Sequence, residues 1–316
     1  MKWQPRLATE FRQSRAGGAT GDDASYEHAM NHGVAKASDV APPHRDLQHA
    51  CPRCRTVIAL DQKATAVCPC CGFQALFERG VYRFVAGVGA EQYWQDTYDA
   101  LATNPEGDPT GYSSAAAMRH RVAAFRHLCG ATAGARILDV GCADGAFWEA
   151  LFERRPAVGV DFSFEMCVLA RRRGMLAHQA DALALPFAND EFDLVYGAGL
   201  LEHIDDLQRV FAEVARVCRP GGSIVMGTAN RLSLARQGMR LVRRLKPRRD
   251  AIMRRSIIMR SVGDLIAAAQ AASLTLDRAC WAYFPLPWQQ CSASPRNLLS
   301  PLATTVVAQF TKRLPV

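Results

Sequence analysis

The chain has 316 residues and a net charge of +8, and its apolar share of 49% is ordinary for a globular protein. That length exceeds one small domain and leaves room for an accessory module. No run approaches the roughly 18 apolar residues of a membrane span, and Met1-Lys-Trp-Gln-Pro has no apolar stretch behind it, which excludes a signal peptide and predicts a cytoplasmic protein. Eleven cysteines in such a setting predict reduced thiols or metal ligands, not a disulfide framework.

Residues 1–50 are rich in Gly, Ala, Asp, Ser and His without periodicity, and predict a disordered leader. Residues 51–86 form a cysteine module. Cys51-Pro-Arg-Cys54 and Cys68-Pro-Cys-Cys71 are two Cys-x-x-Cys knuckles separated by thirteen residues. Two thiolates on each of two tight turns make a closed tetrahedral site, so the expected metal is a structural zinc on Cys51, Cys54, Cys68 and Cys71. Gly72, as the turn residue after the knuckle, favours Cys71, and Cys70 stays open as a substitute ligand. Residues 87–130 predict a helical cap. Tyr93, Trp94, Tyr98 and Leu101 recur at helical spacing over 90–101, and a second helix runs over 115–129 after a Pro- and Gly-containing loop.

From residue 131 strands and helices alternate, the pattern of an α/β fold with a doubly wound, mostly parallel sheet. Ile137-Leu-Asp-Val140 is a buried strand that ends in a turn from Gly141 to Gly145, with a helix from about Ala146. Glycine lets backbone approach a ligand closely where a strand ends. The spacing of Gly141, Ala143 and Gly145 does not fit the Gly-x-Gly-x-x-Gly of a dinucleotide site. A second strand, Ala157-Val-Gly-Val-Asp161, ends in a carboxylate 22 residues after Asp139, placed to hold two ribose hydroxyls. Asp181-Ala182 closes a third strand, where an acid and a backbone N–H suit an adenine edge. Phe192–Tyr196 and Ser223–Met226 are the fourth and fifth strands.

In this order and spacing the pieces over about 115–285 resemble the class I S-adenosylmethionine-dependent methyltransferases. The resemblance implies a seven-stranded Rossmann-like sheet behind a zinc ribbon, and an enzyme that uses S-adenosyl-L-methionine. Carried over by position, Asp139, Gly141 and Gly145 cradle the methionine part and Asp161 holds the ribose. Phe162 and Met166 pack the adenine, Asp181 and Ala182 meet its edge, and Gly197 borders the cofactor. Small zinc ribbons precede many small-molecule methyltransferases, and a similar finger precedes some ribosomal RNA guanine methyltransferases, so the module leaves the substrate open.

The fourth strand ends Tyr196-Gly-Ala-Gly199 and lacks the (Asp/Asn)-Pro-Pro-(Tyr/Phe) of amino-group base methyltransferases. Leu200-Leu-Glu-His-Ile204 and Thr228-Ala-Asn-Arg231 resemble instead the O-methyltransferases of ubiquinone biosynthesis. That similarity places Glu202 and His203 beside the acceptor, a small molecule with a hydroxyl to methylate. His203 is a candidate general base, with a side chain that titrates near neutral pH. Packing under the next helix is its plainer role. Some members use an acid three residues before this Glu to bind a divalent cation. Gly199 stands there, so that metal triad is incomplete, and the use of a catalytic divalent metal stays open.

Residues 231–260 form a basic insertion, with eleven Lys or Arg against one acid, Asp250. From Leu234 to Leu245 the leucines and arginines segregate to opposite helical faces, the pattern of a helix that lies on anionic membrane. A solvated face or a nucleic-acid patch gives the same pattern, and the latter would fit an RNA base methyltransferase. No aromatic stacking platform accompanies the charge. A non-catalytic module that keeps the fold is a third reading, opposed by the intact acids. Ser261, with Asp264 three residues on, starts a capped helix. The last two strands are expected over 274–283 and 304–310. Trp281-Ala-Tyr-Phe-Pro-Leu-Pro-Trp288 would wall an apolar acceptor pocket.

Overall fold

The computed structural model describes residues 46–61, 65–85, 92–103, 115–130, 134–238, 257–283, 286 and 288–314. The ribbon opens with β1 (His49–Ala50) and β2 (Val57–Ile58), paired antiparallel. It continues as a meander of β3 (Thr65–Val67), β4 (Gln74–Glu78) and β5 (Val81–Arg83). Both knuckles close in the same way: the Arg55 amide donates to Cys51 O and the Gly72 amide to Cys68 O. Arg55 and Gly72 both take positive φ there, 65° and 70°, a backbone that glycine adopts without strain.

Helices α1 (Gln92–Thr103) and α2 (Ala115–Cys129) follow, matching the two helices that periodicity predicts. The α/β units then run as β6 (Ile137–Val140), α3 (Ala146–Phe152), β7 (Val158–Asp161), α4 (Phe164–Arg172), β8 (Leu176–Gln179), β9 (Phe192–Gly197), α5 (Leu207–Val217) and β10 (Cys218–Ala229). After the insertion come α6 (Val262–Ala271), β11 (Leu274–Ala282), β12 (Gln289–Ser292) and β13 (Thr305–Lys312). Ser261 and Asp264 form the capping box reciprocally at the start of α6. Every residue of β6 is buried, as expected of a central strand covered on both faces.

The large sheet has eleven strands in the order β12-β11-β13-β10-β9-β6-β7-β8-β5-β4-β3. β8, β7, β6, β9 and β10 run parallel, β13 is antiparallel to β10, and β11, antiparallel to β13, runs in the direction of the parallel strands again. Chain order reverses between β6 and β9, so the crevice beyond their carboxyl ends is where this architecture binds ligands. Seven of these strands are the ones the sequence predicts. The sheet is wider for two reasons. β12 folds back on β11 as a hairpin, and the ribbon's β5 lies parallel to β8, with Arg83 opposite Gln179. β10 also begins earlier than expected, at Cys218, because its pairing with β9 resumes after an irregularity around Pro220-Gly221-Gly222.

The ribbon docks as part of the fold. The Ala50 amide donates to Pro186 O (3.1 Å), the Ala188 amide to Gln48 O (2.9 Å) and the Phe84 amide to Gln179 O (2.7 Å). Arg55 pairs with Glu213 at 2.9 Å. Between the two parts lies a buried aromatic cluster of His49, Tyr82, Phe84, His178 and Phe187. Burial lowers the His49 pKa to about 4 and drives that of His178 down as well, so both rings are neutral at pH 7.

Cys280 and Cys291 are joined as a disulfide, against the prediction of unpaired thiols throughout. They face one another in the β11–β12 hairpin register, a juxtaposition that a cysteine count cannot show. The predicted basic helix over 234–245 has helical backbone at 234–238, and its remainder lies outside the described residues. Among the described residues no helix is long and apolar enough to cross a membrane.

Candidate functional site

The site sits where β6, β7 and β9 end. Gly141 has φ +79°, and a Cβ there would lie 3.2 Å from Leu200 Cβ. Gly145, at φ +81°, starts α3 and abuts Ala170 of α4. At the end of β9, a Cβ on Gly197 would meet Met226 Cε at 3.0 Å and Val140 O at 3.1 Å. These contacts make the turn compact.

Asp139 lies almost wholly buried under this turn. Its Oδ2 accepts from the Tyr196 hydroxyl at 2.5 Å, while Oδ1 is buried with no partner. Burial, reinforced by Asp161, raises its pKa to about 8 against the opposing Tyr196 hydrogen bond. A buried carboxylate oxygen without a donor is costly unless a ligand supplies one. An ammonium group would both pair it and restore its charged form.

Asp161 stands one strand over. Its Oδ2 accepts from the Ala143 amide and its Oδ1 from the Ser163 amide, both at 2.9 Å. Each oxygen keeps a second lone pair for a ligand hydroxyl. Burial lifts its pKa to about 6, with Asp99 adding to the rise and the amide hydrogen bonds opposing it. Asp181 Oδ1 accepts from the Leu183 amide at 2.8 Å, and Ala182 is buried beside it. Phe162 is half-buried at the strand end, whereas Met166 is wholly buried in α4. Asp161→Ala removes both the ribose acceptor and an anchor of the turn. It should weaken binding of S-adenosylhomocysteine at least tenfold, about 1.4 kcal/mol. Calorimetry showing unchanged affinity would remove Asp161 from the site.

On the acceptor side, Leu200–Glu202 is a short 3-10 turn that ends at His203. Glu202 does not point into open space. Its Oε1 accepts from Arg121 Nη2 (2.9 Å) and from the Ala229 amide (2.8 Å), tying α2, the turn and β10 together. Burial works against its charge, but Arg121, with Arg236 and His203, more than offsets that and holds the carboxyl below its ordinary range. The His203 ring packs against Trp94 (4.2 Å between centroids), and its Nε2 lies 2.9 Å from the Tyr98 hydroxyl. Nδ1 is buried without a partner. Burial lowers its pKa, with Glu202 opposing and Arg121 assisting, so the imidazole is neutral at pH 7.

Several of these residues escape sequence reasoning. Trp94, Tyr98 and Asp99 all come from α1. Asp99 accepts from the Ser163 hydroxyl and from the Glu165 amide (3.2 Å) at the start of α4. The helical spacing of Trp94, Tyr98 and Leu101 signals one packed face, but not what it packs on. Tyr196 reads as a strand residue, and Arg121 as one more charge on a helix.

The ribbon's four-cysteine cluster is separate. The Sγ atoms of Cys51, Cys54, Cys68 and Cys71 lie within 4.8 Å of one another, with Cys51–Cys71 and Cys54–Cys68 each at 3.5 Å. Tetrahedral zinc with bonds of about 2.3 Å needs sulfurs about 3.8 Å apart, so the cluster fits that ion. Cys70 is exposed and outside the cluster.

Residues 138–226 match the family model described as a methyltransferase domain. A phosphatidylethanolamine N-methyltransferase of Cereibacter sphaeroides is 36% identical over 101 residues, 29% of this chain and 50% of that protein. A ubiquinone biosynthesis O-methyltransferase of Xanthomonas oryzae is 31% identical over 128 residues, 37% of this chain and 54% of that protein. The chain thus spans about half the length of these relatives. A SAM-dependent methyltransferase structure from Thermotoga maritima shares the fold, with a TM-score of 0.52, 20% identity, and coverage of 62% of this chain and 89% of that one. The geometry agrees with the cofactor of that family: an unpaired buried carboxylate oxygen for an ammonium, a tight glycine turn for the methionine part, and an acid at the next strand end for a ribose.

Proposed function

We propose that this chain, which carries a methyltransferase domain over residues 138–226, transfers the methyl group of S-adenosylmethionine to a small-molecule acceptor, a hydroxyl before carbon or nitrogen. The observation that carries the reading is the unpaired Asp139 Oδ1, buried beneath the Gly141–Gly145 turn at the sheet's switch point. The cofactor, when bound, supplies a sulfonium methyl carbon open to in-line displacement. The chain's residues then have to place the acceptor oxygen in line and take its proton.

His203 is the base in this reading. With Nε2–H donating to the Tyr98 oxygen, Nδ1 holds a free lone pair and receives the acceptor's proton. Trp94 and Tyr98 fix the ring and keep water from it. Glu202 acts as a positioning residue: its bonds to Arg121 and the Ala229 amide hold the turn that presents His203. The zinc of the ribbon is structural, since four thiolates leave no open coordination position. The activities of these relatives, in ubiquinone biosynthesis and on phosphatidylethanolamine, support acceptors with a polar head and an apolar body.

The test adds methyl-labelled S-adenosylmethionine and purified protein to an extract of cells lacking it. Label in the organic-soluble fraction supports the reading and opens the acceptor to mass spectrometry. Label in RNA overturns it in favour of a base methyltransferase whose ribbon and basic segment hold RNA.

A further inference from the structure

The rim that carries the Gly141–Gly145 turn also gathers three segments from the C-terminal part of the chain. Ala229 of β10 pairs with Thr305 of β13, and Thr305 with Ala282 of β11. The segments after Ala229, after Ala282 and before Thr305 therefore leave the sheet together, on the same rim as the ends of β9 and β6. They are fastened to one another. Asn230 Nδ2 donates to Ser300 O (2.8 Å) and Ala303 O (3.0 Å), and Arg236 Nε to Thr304 O (2.6 Å). Asn297 Nδ2 donates to the Tyr283 hydroxyl (2.7 Å), and the Trp288 ring stacks on Tyr283 at 4.6 Å.

This fastened frame turns apolar side chains outward. Leu298 is 98% exposed, Leu234 61%, Leu286 and Leu302 51% each, and Trp288 41%. Most of the large apolar side chains that the described residues expose lie here. Clustered exposure of this kind marks an interaction surface. The charge around it has one sign. The described residues of these segments, 230–238 and 283–304, carry Arg231, Arg236 and Arg296 and no Asp or Glu. From Arg278 to the end there is no acid at all. Leucines and a tryptophan set among arginines suit the boundary between anionic headgroups and acyl chains. A second copy of this chain would bring the same positive surface against it. A nucleic acid would pair the arginines and leave the leucines in water.

We propose that this rim is a docking face for an anionic lipid bilayer, which sets the active site against the membrane interface and selects an acceptor with a lipid tail. The docking rests on the surface alone. The choice of acceptor rests on the methyltransferase reading.

The experiment is sedimentation with vesicles of phosphatidylcholine, with and without about 30% phosphatidylserine, a composition that gives the negative surface potential such faces recognise. The wild type is compared with the Leu298→Asp/Leu302→Asp variant, whose exposed positions leave the core intact, as a matching melting temperature verifies. The wild type should sediment with the anionic vesicles and less so as salt rises. The variant should bind at least about tenfold more weakly, since each leucine contributes buried apolar area and each aspartate adds repulsion. Equal sedimentation of the two proteins overturns the proposal, as does absence of sedimentation with anionic vesicles. A wild-type dimer that the variant converts to monomer without any vesicle binding also overturns it, and assigns the face to self-association. Calorimetry with S-adenosylhomocysteine on the same preparations separates the two readings. Retained binding with failed sedimentation sinks the docking alone, and the converse sinks the methyltransferase reading alone.

Discussion

Stripping zinc from the cluster of Cys51, Cys54, Cys68 and Cys71 should lower the melting temperature of the whole protein, not only of its ribbon. A ligand that binds only the folded state stabilises by about 4 kcal/mol at a thousandfold excess over its Kd. For a chain this size that is about 6 °C. The ribbon has little core of its own, and a bound metal would replace one. It also does not stand apart. Phe84, Ala50 and Arg55 bond to Gln179, Pro186 and Glu213, so loss of the ribbon bares β8 and the buried cluster around His178. Scanning fluorimetry with zinc and with a chelator would measure the shift, and Cys54→Ser should abolish it. Superimposed curves would mean that the cysteines hold no stabilising ion.

Arg121→Met should be the most damaging single change near the acceptor side, at about 3–5 kcal/mol at pH 7, because it strands a buried carboxylate. Both members of the Arg121–Glu202 pair are nearly inaccessible, at 9% and 8%. Methionine keeps the packing of the aliphatic stem but not the charge. The pH dependence follows from the depressed Glu202 pKa. The pair's contribution is fully present above the unfolded glutamate value of about 4.3 and is lost as pH falls through the folded value below it. The gap between wild type and variant in urea midpoint should therefore be wide at pH 7 and narrow in acid. Adding Glu202→Gln to Arg121→Met should recover much of the loss, since no charge is then stranded. Equal midpoints at pH 7 would show that the pair contributes nothing.

What was legible in the sequence was local. Gly141 and Gly145 announced a turn because glycine tolerates the positive φ that each takes. Ser261 and Asp264 announced a helix start, and two Cys-x-x-Cys knuckles announced four converging thiolates. Asp161 was legible because acids at successive strand ends fall on one rim in a parallel sheet. The contacts that define the acceptor side were not local. Tyr98 meets His203 across 105 positions, Arg121 meets Glu202 across 81, and Tyr196 meets Asp139 across 57. Periodicity says that such a residue faces inward or outward, not which partner it finds. Arg83 opposite Gln179 is the same kind of event, a parallel pairing set by docking of the whole ribbon. Cys280 and Cys291 needed a hairpin register that no turn motif between them advertised.

The ribbon's place at the end of the sheet has a consequence for how the molecule behaves among its own copies. A parallel sheet that stopped at β8 would offer its neighbours a row of open backbone donors and acceptors, a template for strand addition between molecules. β5 covers the end of that row, with Arg83 opposite Gln179, β4 and β3 continue it antiparallel, and the sheet ends on β3, three residues long. The opposite margin ends on β12, four residues long and closed in a hairpin. A sheet of eleven strands thus terminates on both sides in short pieces, and the cysteine module that carries β3 to β5 doubles as a guard against edge-to-edge aggregation.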